Sequence, residues 1–293
     1  IVSLFTDLFA GNLDIVKGLI QDFASGDFKM AEYLFTDQMK QALPSSYANT
    51  SKFEIKKIEI GNKYKVPAEL TIPNGKGSFP AVILIPGSGP EDMNESIGPN
   101  RPFEDIAYGL SSDGIVVLRF DKSTYVYAKE FESGKIKTDL ENEYFKDALD
   151  GIEFLKSQNY VKNVFILGHS EGGYLSPTIA QMSGKASGII LLAAPASYYY
   201  EVNRYNPVDI LKTLKIPVLV MQGRKDYQVT EKDYDIFKEN FGSDKNFAFE
   251  WFDDLDHLFM KWNGIPSPDQ YLVAGHVSDK VINDIVNWIN AHS

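Results

Sequence analysis

Val161-Lys162-Asn163-Val164-Phe165-Ile166-Leu167-Gly168-His169-Ser170-Glu171-Gly172-Gly173-Tyr174-Leu175-Ser176 is the stretch that decides how this chain folds. Its wholly apolar run, Val164 to Leu167, is strand-length and has the character of a strand buried on both faces. From Tyr174 onward the apolar spacing turns helical. Between the two stands a serine with glycine two residues before it and two after, the pattern of a nucleophile elbow in its strand–turn–helix context. The physics demands those neighbours. A serine at so sharp a turn is strained, and only residues without bulk let the flanking backbones cross closely. The helix N-terminus just beyond favours a developing negative charge.

Outward from the elbow the same alternation repeats. Short apolar runs at Ala81 to Ile85, Ile115 to Phe120, Gly188 to Leu192, Ile216 to Met221 and Phe247 to Phe252 read as buried strands. Helical periods separate most of them, over Pro102 to Ser112, Leu140 to Leu155, Gly172 to Met182, Glu231 to Phe241 and Ser278 to Ile289. The chain is therefore α/β, with a mainly parallel, doubly wound sheet covered on both faces. Ahead of it, alternating runs Phe53 to Ile60 and Tyr64 to Ile72, joined at Gly61-Asn62, predict an antiparallel entry hairpin. The first residues differ: Phe9, Leu13, Val16, Ile20 and Phe23 step at helical spacing, and Pro44-Ser45-Ser46 ends the block. This divides the chain into a helical N-terminal extension, residues 1–48, and a catalytic body, residues 49–293.

Composition narrows the function. With 29 basic and 40 acidic residues among 293, the net charge of −11 repels phosphate backbones and argues against nucleic acid as a partner. The absence of cysteine excludes disulfides, thiolate metal sites and a cysteine nucleophile. No run approaches the roughly 18 consecutive apolar residues of a membrane span. The chain opens on Ile1 rather than Met, as expected for a trimmed or processed N-terminus, so the compartment is left open, and so is the oligomeric state.

A serine hydroxyl becomes nucleophilic only when a base takes its proton and a carboxylate holds the base's tautomer. Of the four histidines, His169 adjoins Ser170, and its side chain should point away, either into packing or into support of the site from behind. His276 and His292 flank or end the last helix, where surface histidines are ordinary. His257 follows the strand Phe247 to Phe252 within Asp253-Asp254-Leu255-Asp256-His257 and is the candidate base. Asp226 ends the strand Ile216 to Met221 with Gln222-Gly223-Arg224-Lys225, at a carboxyl strand end where open α/β sheets keep their sites. It is the candidate acid. Asp253, Asp254 and Asp256 are too close in sequence to reach the imidazole in line, and are expected to be solvated. No helical ligand pairing supports a metal site around them. Oxyanion donors are expected from the backbone N–H of Ser88, in Pro86-Gly87-Ser88-Gly89-Pro90, and of Glu171, whose carboxylate should turn away. Tyr198, Tyr199 and Tyr200, with Tyr205, Trp251 and Trp262, either line an acyl or aryl pocket or pack a stunted cap.

The order Ser170, Asp226, His257 and the blocks around it resemble the α/β-hydrolase superfamily, and more narrowly a bacterial group of serine carboxylesterases. The blocks are Gly87-Ser88-Gly89-Pro90 with Asp92, Gly98-Pro99-Asn100-Arg101-Pro102-Phe103, Leu118-Arg119-Phe120-Asp121-Lys122, Gly168-His169-Ser170-Glu171-Gly172, Gln222 through Thr230, and Asp256-His257-Leu258-Phe259. The resemblance covers residues 53 to 293, and the first 45 residues are similar to a small helical domain found before some such hydrolases. It implies an α/β-hydrolase fold and hydrolysis of short-chain acyl esters as small-molecule substrates, with no metal or organic cofactor. Three departures stand out. Pro86 replaces a common histidine, which leaves a backbone role intact. Asp121-Lys122-Ser123-Thr124 replaces Asp-Lys-Arg-Gly, which leaves that loop's conformation open. The usual helical cap shrinks to residues 194–214, which predicts a more open site. A thioesterase or peptidase with the same three residues, and a binding protein of this fold whose chemistry has lapsed, are the alternatives.

Overall fold

The computed structural model of the protein describes residues 45–197 and 203–293. Most of the expected helical extension, and Tyr198, Tyr199 and Tyr200, lie outside the described residues.

The strands are β1 (Phe53–Ile60), β2 (Val66–Pro73), β3 (Phe79–Ile85), β4 (Val116–Phe120), β5 (Val161–His169), β6 (Gly188–Leu192), β7 (Val218–Gly223) and β8 (Phe247–Phe252). They form one sheet in the order β1-β2-β4-β3-β5-β6-β7-β8. The entry hairpin pairs antiparallel, with Phe53 opposite Pro73 and Ile60 opposite Val66. β2 joins β4 antiparallel, and every pairing from β4 to β8 is parallel.

The helices are α1 (Pro102–Ser112), α2 (Ser123–Val126), α3 (Ala128–Glu132), α4 (Lys146–Ser157), α5 (Glu171–Ser183), α6 (Pro207–Leu211), α7 (Glu231–Phe241) and α8 (Asp279–Ala291). The two-residue period of the strands sorts the core into two layers. Ile83 and Ile85 pack with Ile152 and Leu155 of α4 and Leu175 and Ile179 of α5. Val82 and Leu84 pack on the other face with Ile106 and Leu110 of α1 and Ile282 and Ile285 of α8. All four β3 side chains are fully buried, each stabilising by about 1.5–3 kcal/mol, so a one-residue register slip exchanges the layers at large cost.

Two features depart from the sequence reading, and two more concern segments that it left open or expected to be short. The helix expected from Leu140 opens with a π turn, Glu141–Phe145, that turns Tyr144 and Phe145 inward before α4 begins. β8 is the sheet's edge and is mostly half-buried rather than covered on both faces. The loop at Ser123-Thr124 becomes α2, tied down where the Ser123 N–H and hydroxyl both donate to Asp147 at 2.9 Å. In place of a cap, the described part of residues 194–214 holds a 3-10 turn, Asn203–Tyr205, and α6. The carboxyl ends of β3, β5, β7 and β8 thus open onto one edge of the sheet, and the segments that follow them carry the candidate residues.

Candidate active site

Ser170 leaves β5 with φ +52° and ψ −122°, a left-handed backbone that costs a non-glycine residue on the order of 1–3 kcal/mol. The surroundings hold it there. Its N–H donates to the Leu192 carbonyl at 2.9 Å, and α5 starts at the next residue. A Cβ at Gly168 would run into the Ser176 hydroxyl and the Gly172 carbonyl, and one at Gly172 into the carbonyls of Ile85 and Pro86. Both glycines are required for that close approach. Glu171, as the first residue of α5, presents one of the helix's unpaired amides beside Ser170.

Asp226 and His257 meet at 2.7 Å, Oδ2 to Nδ1, and both are buried. The carboxylate is held on every side: Oδ1 accepts from the amides of Gln228 (2.7 Å) and Val229 (2.9 Å), and Oδ2 also from Gln222 Nε2 (3.1 Å). Burial alone would raise the Asp226 carboxyl, but the His257 ring and these amides hold it below its ordinary value. An ionised Asp226 fixes the proton of His257 on Nδ1 and leaves Nε2 as the basic nitrogen. Ser170 and His257 line one cavity of about 180 Å³, together with Gly87 and Ser88. No hydrogen bond joins their side chains; between a nucleophile and its base such a contact commonly tightens around substrate. The structure therefore brings Ser170, Ser88 and His257 to one cavity and sets Asp226 behind the imidazole.

Two residues act behind this group. His169 is buried, as a packing role predicts, but its bonds are specific. Nδ1 lies 2.9 Å from Glu95 Oε1, and Nε2 donates to the His257 backbone carbonyl at 2.8 Å. The rings of His169 and His257 lie 4.6 Å apart. Burial alone would lower the His169 pKa, but the Glu95 carboxylate and the His257 carbonyl raise it to about 9. Glu95 Oε1 also accepts the Gly87 N–H at 2.6 Å, so one carboxylate ties the loop after β3 to the base of the elbow. Glu95 had no sequence signal; it lies 74 residues from His169 in a loop without periodicity. Glu91 lines the same cavity, and burial, with Glu95 nearby, pushes its carboxyl up to about 7.

Other candidates are corrected. His276 is no ordinary surface histidine: its Nδ1 lies 2.8 Å from Asp105, which also accepts the Val277 N–H at 3.0 Å. Asp256 is buried rather than solvated, accepting from Leu258 (3.0 Å) and Met260 (2.9 Å), with its carboxyl raised to about 6 by burial. Asp253 and Asp254 are exposed as expected. Trp251 packs on Tyr234 and Tyr205 on Phe145, while the Trp262 indole donates to the Ile265 carbonyl. Among the described residues, the tyrosines that line the cavity are Tyr227 and Tyr271, their rings 5.5 Å apart. Tyr227 adjoins the candidate acid and was within reach of sequence reasoning; Tyr271, in the 3-10 turn Pro268–Leu272, was not. Among the described residues no group of three or more His, Asp or Glu is arranged to hold a metal, and no helix is long and apolar enough to cross a membrane.

A family profile described as an alpha/beta hydrolase domain matches residues 82–281. Esterase EstD of Thermotoga maritima is 36% identical over 292 aligned positions, spanning 83% of this chain and 69% of that protein. Among solved structures, a dienelactone hydrolase from Anabaena variabilis superposes with a TM-score of 0.59 at 16% identity, covering 82% of this chain and 99% of its own. Est1E from Butyrivibrio proteoclasticus gives 0.56 at 17%, covering 80% and 99%. The acylaminoacyl peptidase of Pyrococcus horikoshii gives 0.57 at 17% over 71% of this chain, which spans only 38% of that enzyme. At such identities the solved structures share the fold alone.

Proposed function

The chain belongs to the α/β-hydrolase family and is a hydrolase of esters, and from that premise we propose that it is a serine carboxylesterase of short-chain acyl esters. The observation that carries the proposal is the buried 2.7 Å contact between Asp226 and His257 at the back of the cavity that Ser170 lines. Ser170 Oγ attacks the ester carbonyl carbon as its proton passes to His257 Nε2, and Asp226 stabilises the imidazolium. The carbonyl oxygen, now an anion, accepts from the amides of Ser88 and Glu171, each such donor lowering the barrier by about 2.7–4 kcal/mol. The carbon–oxygen bond to the alcohol breaks, and the leaving alkoxide takes the proton from His257. A water that gives its proton to His257 then adds to the acyl-enzyme, and its collapse frees the acid and regenerates Ser170.

A cavity of about 180 Å³ is smaller than the roughly 300–1,000 Å³ pockets that enclose drug-sized ligands, which favours short acyl groups. The proposal keeps residues 1–48 as a helical extension and 49–293 as the catalytic body, with residues 194–214 in place of a larger cap. A fluorophosphonate probe should label the protein at Ser170, and Ser170→Ala should lose both label and turnover. Matched acetyl ester, thioester and anilide substrates rank the bond that is cleaved. Undiminished turnover in Ser170→Ala would remove the serine mechanism; absence of both label and turnover in the unaltered protein would leave a binding protein of this fold.

A further inference from the structure

We propose that Lys122 and Tyr144 are positioning residues for the oxyanion loop: they grip the Gly87 carbonyl from behind and so aim the Ser88 N–H at the reacting ester. The inference rests on the reading of Ser170 as nucleophile and of the Ser88 amide as a donor. The Gly87 carbonyl and the Ser88 N–H belong to the same planar trans peptide and point in opposite directions, so fixing one fixes the other. Tyr144 Oη donates to the Gly87 oxygen at 2.6 Å and Lys122 Nζ at 3.1 Å. The preceding N–H of Gly87 is held at 2.6 Å by Glu95. Gly87 itself abuts the elbow, since a Cβ built on it would lie 3.3 Å from Ser170 Cβ. A peptide pinned on both sides against the nucleophile cannot rotate its amide out of the cavity without breaking these bonds.

The two side chains are costly to bury, and their neighbours explain how they stay. Lys122 is fully buried and Tyr144 nearly so. An isolated ammonium in such a place is strongly disfavoured. Its partners are the Glu143 carboxylate at 2.9 Å, the Gly87 carbonyl, and the Tyr144 ring, whose face lies 3.7 Å from Nζ. Tyr144 occupies the π turn that interrupts the helix after Leu140, and π turns of this kind recur at functional sites. Its phenol also lies 3.0 Å from Glu171 Oε2, so a single hydroxyl touches both segments expected to supply oxyanion donors. A phenol has one proton to give; the shorter contact assigns it to Gly87. Burial raises the Glu171 carboxyl, while the Tyr144 hydroxyl and the Lys122 ammonium act to lower it. Neither Lys122 nor Tyr144 lines the cavity, so their effect passes through the Gly87–Ser88 peptide and, for Tyr144, also through its contact with Glu171.

The test compares Tyr144→Phe, which keeps the ring over Lys122, with Tyr127→Phe, which removes a hydroxyl that donates to the Lys65 carbonyl. For each, kcat and KM are measured on a short acyl ester, along with the Ki of a trifluoromethyl ketone that forms a tetrahedral adduct with Ser170. Tyr144→Phe should lower kcat by about 10- to 100-fold and raise the ketone Ki by the same factor, a fraction of what losing an oxyanion donor outright costs. KM should stay within about threefold, and Tyr127→Phe should match the unaltered protein. Lys122→Met should shift the same quantities in the same direction. Because it strips a partner from Glu143 and can unfold the chain, Tyr144→Phe decides. Unchanged kcat and Ki in Tyr144→Phe, or a lower kcat without a higher Ki, would overturn the grip while Ser170→Ala still abolished turnover. Turnover surviving Ser170→Ala would remove the esterase reading, and the grip with it.

Discussion

Replacing Asp226 with asparagine tests the proposed mechanism at the atom where it is most exposed, because the structure dictates which way the new amide must face. Oδ1 accepts two backbone N–H groups, those of Gln228 and Val229, at 2.7 and 2.9 Å. Placing the asparagine NH₂ there would set a donor against the buried Val229 N–H, left unpaired at about 1–3 kcal/mol, and against the half-buried N–H of Gln228 as well. The opposite orientation puts the NH₂ at the Oδ2 position, where it conflicts with only one protein donor, Gln222 Nε2, and can donate to His257 Nδ1. The second orientation wins by a margin of about 1–3 kcal/mol. It also forces the proton of His257 onto Nε2, so the imidazole can no longer accept the serine proton. Loss of the correct tautomer in a serine–histidine–aspartate system lowers kcat about 10⁴-fold, or about 5.5 kcal/mol of barrier. The assay is steady-state turnover of a p-nitrophenyl acyl ester by Asp226→Asn, with circular dichroism and thermal unfolding to verify the fold. A folded Asp226→Asn whose kcat stays within about tenfold of the unaltered protein would refute the role given to this carboxylate.

Stability should rise on mild acidification. The His169 pKa is raised to about 9, so its imidazolium stabilises the fold fully below about 6.5, and that contribution, about 3 kcal/mol, is lost as pH climbs through 9. Burial raises Asp147 and Asp256 to about 6 and Glu91 to about 7, so ionising them destabilises the fold as pH rises through those values. Asp226, held low, opposes this trend only in the acid range below its ordinary pKa. Urea unfolding should therefore give a larger free energy at pH 5.5 than at pH 9, with His169→Gln flattening the alkaline limb; a flat or rising profile would contradict these assignments. Gly172→Ala drives a methyl into the carbonyls of Ile85 and Pro86 and should cost at least about 2 kcal/mol in thermal unfolding, with turnover falling too; a neutral substitution would contradict the close crossing.

The layered α/β plan was legible because it is written in periods. Strands such as Gly188–Leu192 and helices such as Pro102–Ser112 and Glu231–Phe241 occur with the limits that their apolar spacing predicts. The edge position of β8 was hidden, because Phe247 to Phe252 is apolar enough for a central strand and only the order of pairing exposes it. The elbow was legible from local sterics, since strand, glycine, serine, glycine and helix all fall within sixteen residues. Asp226 and His257 stood out by their place after strands, and the structure puts the two in contact. The environment that Asp256 occupies was not, because adjacency to exposed Asp253 and Asp254 suggests solvent, whereas the turn closes over Asp256 and supplies two amides. Glu95 carries no periodic signal, while Tyr144 falls on the apolar period of Leu140 to Leu155 and Lys122 in the block Leu118 to Lys122, patterns that do not reveal what either side chain holds. Their significance lies in partners 8 to 74 positions away.

Those partners form one continuous path. His257 offers its carbonyl to His169, His169 meets Glu95, Glu95 accepts from the Gly87 N–H, and the Gly87 carbonyl accepts from Tyr144 and Lys122. The loops after β3, β5 and β8 at the carboxyl edge of the sheet are otherwise held by packing contacts and by the strands behind them, and strands fix loop roots rather than loop tips. In the proposed mechanism the donors that meet the oxyanion must already be aimed when charge develops, since reorienting dipoles during the reaction would consume the stabilisation they offer. A buried carboxylate and an imidazole whose proton is retained to about pH 9 meet that requirement across the neutral range. Apolar packing alone does not, because dispersion contacts are non-directional and leave a glycine-rich peptide free to turn. The polar cost concentrated behind Ser170 is therefore what a preorganised loop of Gly87, Ser88 and Gly89 demands.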